Sequence, residues 1–149
     1  MRTVLSTVVI LASAVPVAPA QGLLASGSSM PLWADSAFRH SPQYTAVDYQ
    51  SPLAPAMALA DFDGDGLLDV AVQIRSRATL AWGIAVIHRS DGSVHVLGAG
   101  RDVGDGNGEI RNWGVTRLEH HKSAIIVERS NNKNGLLVWG GSEYRWVPD

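Results

Sequence analysis

The chain has 149 residues and a mass of 15.9 kDa, and 46% of its residues are hydrophobic, which is enough for the core of one domain. Twelve basic and fourteen acidic residues give a formal net charge of −2, and the basic residues are scattered, so no positive stripe predicts a nucleic-acid partner. With no cysteine, the chain has no disulfide, no thiol nucleophile and no lipid-carrying cysteine.

Residues 1–20 are predicted to form a cleavable signal peptide. Arg2 supplies the basic start, residues 4–15 are apolar, and Ala18 and Ala20 are the small residues that a signal peptidase requires. The alternative is a membrane anchor, but an apolar run of about 12 residues is shorter than the ~20 that a spanning helix needs. We therefore expect cleavage after Ala20, a secreted or periplasmic protein, and no membrane span after cleavage.

Residues 21–55 form a leader that is rich in Pro, Ser and Ala. Its prolines recur too often for a long regular element. We expect a partly loose segment that docks on the rest of the protein through its aromatic residues, with one short helix near residues 31–39.

Residues 56–149 are predicted to form a β domain. Short apolar runs rich in Val and Ile alternate with turn segments such as SDGS and NNKNG, which is typical of strands joined by hairpins. We expect an all-β fold, either a small antiparallel sandwich or an open barrel of hairpins. The runs cover residues 56–60, 68–74, 79–88, 93–98, 113–118, 123–129, 135–139 and 143–147.

The segment DFDGDGLLD, residues 61–69, is the strongest functional signal. Its carboxylates occupy positions one, three, five and nine, and they belong to Asp61, Asp63, Asp65 and Asp69. Calcium takes six to eight oxygens, so a loop that curls around the ion must turn alternate side chains inward. Gly66 permits the bend, and the Leu67 carbonyl at position seven is a further candidate ligand.

The alternative reading is an acidic surface turn without an ion, because Asp and Gly are common turn residues. Four neighbouring carboxylates repel one another, and a simple turn gains nothing from the fourth, so the calcium reading is favoured. Position twelve, where a helical calcium hand carries a bidentate Glu, is Val72. The flanking residues are strand-like, and we therefore predict one calcium loop between two strands.

The stretch ALADFDGDGLLDVAV, residues 58–72, resembles the calcium loop of the FG-GAP and VCBS-type repeat family. The resemblance implies that the loop joins two antiparallel strands and that the four aspartates are side-chain ligands. The sequence departs from the family in having a single copy and no Phe-Gly or Gly-Ala-Pro element, and it is too short for a full propeller.

The tail GLLVWGGSEYRWVPD looks like the C-terminus of small exported bacterial proteins of unknown function. Those proteins end in Trp-Asp-Gly followed by an aromatic residue, Val and a final Asp. Trp139, Gly141, Tyr144, Val147 and Asp149 fit this pattern, whereas Gly140 replaces the Asp. The resemblance implies no activity.

Other polar segments give weaker signals. Residues 101–110 contain a second acidic cluster, but Trp113 stands where a ninth-position oxygen belongs, so a mobile glycine-rich loop is favoured over a second ion site. His88 and His95 alternate with apolar residues and are expected to project outward from strands, and no catalytic constellation is visible. We predict no catalytic residue.

Five tryptophans are many for this length. They fit either the core and rim of a small β fold or a stacking platform for a glycan or peptide. The sequence therefore favours an exported calcium-binding module that binds an extracellular protein or glycan. The alternatives are a cell-wall or glycan binder that uses exposed Trp, and a hydrolase with structural calcium.

Overall fold

The computed structural model describes residues 23–24, 30–48, 57–104 and 109–149. The predicted signal peptide and its cleavage site lie outside the described residues, as do residues 105–108 of the second acidic cluster. In the described part of the chain, no helix is long and apolar enough to cross a membrane.

Ten strands and one α-helix occur among the described residues. In chain order they are β1 (Leu23–Leu24), α1 (Leu32–His40), β2 (Val47–Asp48), β3 (Met57–Ala60), β4 (Asp69–Ser76), β5 (Trp82–Ile87), β6 (Val94–Gly98), β7 (Ile110–Arg117), β8 (Ser123–Arg129), β9 (Gly135–Trp139) and β10 (Tyr144–Pro148). Short 3₁₀ turns lie at Tyr44–Ala46 and Glu119–His121.

The strands form two antiparallel sheets that pack face to face. The first has the order β1-β3-β4-β5-β6, with β2 beside the C-terminal end of β4, and the second has the order β10-β9-β8-β7. As far as the chain is described, neither sheet closes on itself. The all-β prediction is confirmed, and of the two architectures that the sequence left open, the sandwich is the one observed.

The space between the sheets holds the main core. Ala71 of β4 and Val86 of β5 face Ile125 of β8 and Leu137 of β9 across it, and all four side chains are fully buried. Phe62, from the acidic loop, belongs to the same cluster. The loop is therefore attached to the sandwich by a large apolar side chain.

A third layer covers the outer face of the first sheet. Phe38 of α1 packs with Val72 and Ile74 of β4, and the Phe38 ring meets Tyr44 edge to face at 5.6 Å. The short helix predicted near residues 31–39 is thus present as α1. Because β4 is covered on both faces, it has a nearly continuous apolar sequence and lacks the alternation of a half-exposed strand.

Candidate metal centre

The acidic loop connects β3 to β4 and closes on itself. Ala60, the last residue of β3, pairs directly with Asp69, the first residue of β4, so the intervening chain must turn back within a few residues. Gly64 and Gly66 make this possible, with φ angles of 85° and 88° that an L side chain rarely adopts. The two glycines thus determine the local bend.

Asp61, Asp63 and Asp65 converge on one point. One carboxylate oxygen from each lies within 4.8 Å of the other two, and this group can hold a metal ion. The loop's own amides orient these side chains: Asp61 accepts the N–H groups of Gly64 at 2.6 Å and Gly66 at 2.9 Å. Asp63 accepts the Asp65 N–H at 3.1 Å, so the loop is held by bonds within itself.

Asp69 lies behind this group and has a different set of contacts. Its side chain is fully buried, and its two oxygens accept the backbone N–H groups of Phe62 and Arg89, each at 2.8 Å. Burial raises the pKa of Asp69, and the two amide bonds oppose that rise. Asp69 therefore joins the start of the loop to the chain that follows β5.

Leu67, the other sequence-predicted ligand, is exposed at 45% of its surface. Its side chain contributes nothing to the site, and its carbonyl stays a predicted ligand. Asp65 is exposed at the tip of the loop, where its Oδ1 accepts the Leu67 N–H at 2.7 Å. The open side of the group thus faces solvent.

Two residues that follow β5 lie next to the Asp63 carboxylate. The Ser90 hydroxyl donates to Asp63 Oδ2 at 3.1 Å, and His88 Nδ1 lies 3.9 Å from the same oxygen. On its other side, His88 Nε2 shares a hydrogen bond of 2.9 Å with the Tyr144 hydroxyl. The expectation that His88 projects outward is wrong: only 2% of the residue is exposed, because it lies between the sheets under Tyr144 of β10.

A cluster of four rings beside the loop was not predicted from the sequence; it consists of His88, His95, Trp139 and Tyr144. Their centroids lie 4.6 to 5.9 Å apart. Burial, and then the neighbouring His88, lower the pKa of His95, and burial raises the pKa of Tyr144. The sequence could have indicated that Trp139 and Tyr144 lie opposite each other in the C-terminal hairpin. Their contact with the two histidines, however, depends on how the two sheets pack.

The second sheet also holds the loop. The Ser123 N–H donates to the Asp61 carbonyl at 2.7 Å, and the Lys122 ammonium bonds the Trp139 carbonyl while its stem lies against Gly64. Of the second acidic cluster, the described part shows Asp102 accepting the Gly104 N–H at 2.8 Å. A second ion site there stays untested.

A scan of protein-family models found no match for this chain, and searches of curated proteins and of solved structures found none either. The resemblance to the FG-GAP and VCBS-type loop therefore rests on residues 58–72 alone. The function has to be argued from the site itself.

Proposed function

We propose that the chain is an exported calcium-binding β module whose ion stabilises an interaction protein. The observation that supports the ion most is the convergence of Asp61, Asp63 and Asp65 on a loop already bent by its own amides. All three donors are carboxylate oxygens, which are the ligands that calcium prefers. Export is proposed from the apolar N-terminal segment alone.

The proposed set of calcium ligands is larger than the group of three carboxylates that the structure brings together. The Leu67 carbonyl and Asp69 would complete it. Asp69 Oδ1 accepts the Arg89 N–H and has a second lone pair for the ion, whereas Oδ2 accepts the Phe62 N–H and, at 3.4 Å, the Asp63 N–H. Val72, at the position of the absent bidentate Glu, is buried in β4. We therefore expect a weak site, with a dissociation constant on the order of 0.1 to 1 mM, and poor replacement of calcium by magnesium, which demands a tighter octahedral geometry.

The two alternative functions have less support. A glycan platform needs open indole faces, but Trp113 is buried and the other four tryptophans are half-buried. Among these, Trp33, Trp82 and Trp146 each lie under an arginine at 4.7 to 5.5 Å. For a hydrolase, His95 Nε2 contacts the Ser93 hydroxyl at 3.1 Å, but within the described residues no carboxylate is hydrogen-bonded to His95.

Thermal unfolding in calcium and in chelator tests the proposal. With about 2 mM calcium and a dissociation constant of about 0.1 mM, linkage adds roughly 1.8 kcal/mol to the free energy of unfolding. For a domain of this size that corresponds to several degrees in melting temperature. Asp65→Ala should remove the calcium-dependent shift, because it deletes one ligand from the exposed tip of the loop.

Glu128→Ala is the matched control, because it removes one exposed carboxylate from β8 without touching the loop. This variant should keep the full calcium shift. Identical melting of the unmodified protein in calcium and in chelator, with no effect of Asp65→Ala on either, would show that the segment is an ordinary acidic turn.

A further inference from the structure

A cleft runs along one open side of the sandwich, between the last strand of each sheet. Residues 94–97 of β6 line one side, and residues 143–146 line the other, where β10 begins. The volume is about 590 Å³, and the apolar lining includes Leu97, Val103, Leu137 and Trp146. None of these residues belongs to the acidic loop.

The backbone of β6 directs some of its N–H and C=O groups towards the cleft and away from β5. The His88 N–H donates to the Ser93 carbonyl, and hydrogen-bonded pairs alternate along an antiparallel ladder, so the odd-numbered residues 93 to 97 face β5. Val94 and Val96 therefore direct their N–H and C=O groups away from β5. Within the described residues β6 has no strand on that side.

The same alternation applies to β10. The Gly140 N–H donates to the Glu143 carbonyl, so Tyr144 and Trp146 direct their main-chain groups away from β9. Pro148 follows without an N–H. Among the residues that the structure describes, two strand edges without a partner strand thus border one cleft. Their donors and acceptors complement the N–H and C=O groups of another extended chain.

Side chains line both flanks of the cleft, which limits the width of a segment that can lie in it. Beyond β6, Arg101 Nη2 donates to the Gln43 side chain at 3.0 Å along one flank, and β10 forms the other flank. A single extended segment therefore fits beside β6, between the two flanks. A slender segment of about four residues, advancing roughly 3.3 Å per residue, matches the length of residues 94–97.

The charges of the lining indicate what kind of segment fits. Two arginines and two acidic residues line the cleft, and their formal charges cancel; they are Arg101, Arg145, Asp102 and Glu143. Arg145 Nε and Glu143 lie 3.9 Å apart and offset each other. With apolar side chains between these charged ones, the cleft suits an uncharged peptide with apolar side chains at alternate positions.

We propose that this cleft binds an extended, uncharged peptide segment, which adds to the free edge of β6 as a further strand. Main-chain hydrogen bonds to Val94 and Val96 hold the segment, and its alternate apolar side chains lie against Leu97 and Leu137. This proposal goes beyond the calcium function and does not depend on a bound ion.

The test is a titration of the 15N-labelled protein with the blocked peptide acetyl-Thr-Val-Thr-Val-Thr-amide, followed by amide chemical shifts in calcium and in chelator. We expect saturable shifts centred on residues 94–97 and 144–146 in both conditions. The matched probe is the same peptide with both Val amides N-methylated, which keeps the side chains and removes donors. It should bind at least about tenfold more weakly, since each lost hydrogen bond costs roughly 1 kcal/mol or more.

Val96→Pro is the matched protein variant. It removes an N–H that faces away from β5, and Pro is tolerated on edge strands at such positions, so binding should fall by about the same factor while the fold is kept. If the variant does not fold, the methylated peptide still decides the question. Absence of saturable binding up to about 1 mM, or equal binding of both peptides, would overturn the proposal. Shifts at residues 94–97 that depend on protein concentration without peptide would assign the edge to self-association instead.

Discussion

At the scale of single residues, four aspartates of one short segment have different environments. Asp61, Asp63 and Asp65 converge near the surface, whereas Asp69 is fully buried and accepts two backbone amides. A buried carboxylate is costly unless it is well hydrogen-bonded, and the two amides supply those bonds. Asp69 thus has a structural task whether or not it also contacts an ion.

Asp69→Ala should destabilise the protein even without calcium. The change leaves the N–H groups of Phe62 and Arg89 without their acceptor, at a cost of about 2–4 kcal/mol. Urea unfolding in chelator measures this. Asp65→Ala, at the exposed tip, is the control and should change the free energy of unfolding by less than about 0.5 kcal/mol. A similarly small change for Asp69→Ala would contradict the structural role.

His95 should make the fold sensitive to mild acid. Its pKa lies below the ordinary value of 6.5 because of burial and the neighbouring His88. When the pH falls below 6.5, the unfolded chain binds a proton at His95 before the folded protein does, so the free energy of unfolding decreases. The decrease ends once the pH is below the lowered pKa of the folded state. Above pH 6.5 both states are unprotonated at His95 and no stability is lost through this residue. Chemical unfolding at about pH 7.5 and about pH 5.5 should show a larger loss for the unmodified protein than for His95→Gln. Equal losses would refute this prediction.

At the scale of elements, the C-terminal hairpin is part of the core. In the β9–β10 register Trp146 lies opposite Leu137, which is fully buried, and Tyr144 lies opposite Trp139. All four side chains lie on one face of the hairpin, because directly opposed residues and residues two apart along a strand share a face. The hairpin packs tightly because Gly135 has no side chain: a Cβ there would lie 2.4 Å from the Val147 carbonyl oxygen and 2.7 Å from the Trp146 ring.

Gly135→Ala should therefore destabilise the fold by about 1–3 kcal/mol, the usual cost of overpacking. Gly114→Ala in β7 is the matched control, because a Cβ there meets no atom within 4 Å and the residue needs no left-handed φ. That variant should be neutral or slightly stabilising. Thermal unfolding of both variants checks the prediction, and a stable Gly135→Ala protein would mean that the hairpin is more loosely packed than described.

At the scale of the whole molecule, the described chain has three layers. One layer is α1, the middle layer is the first sheet, and the third is the second sheet. The middle sheet is buried on both faces, so stability depends on the N-terminal helix as well as on the sandwich. The four-ring cluster and the acidic loop lie where the two sheets meet.

Phe38→Ala should test the contribution of the helical layer. The residue is 2% exposed and packs on β4, so truncation should cost about 3–5 kcal/mol. Leu32→Ala on the same helix is the control, because Leu32 is 88% exposed and its loss should change stability by less than about 0.5 kcal/mol. Denaturant unfolding compares the two, and equal stabilities would show that the helix does not support the sheet.

Much of the fold followed from local patterns. The eight predicted apolar runs correspond to β3 to β10, with β7 beginning earlier, at Ile110, where the register shifts between Ile110 and Asn112. The two-residue strands β1 and β2 were not predicted, because so short a segment has no periodicity of its own and is defined by its partner strand. The loop was predictable because its carboxylates and glycines interact within a few residues of one another.

The sequence by itself thus determined strands β3 to β10, the short helix and the bend that gathers three carboxylates, since these depend on neighbours in the chain. Only the tertiary structure decided the burial of His88, whose partner Tyr144 is 56 residues away, and the second task of Asp69, whose amide partner Arg89 is 20 residues away. It also decided which strands lie at the edges of the sheets. Such contacts form only when two sheets and a helix share one core, and no local pattern encodes that arrangement.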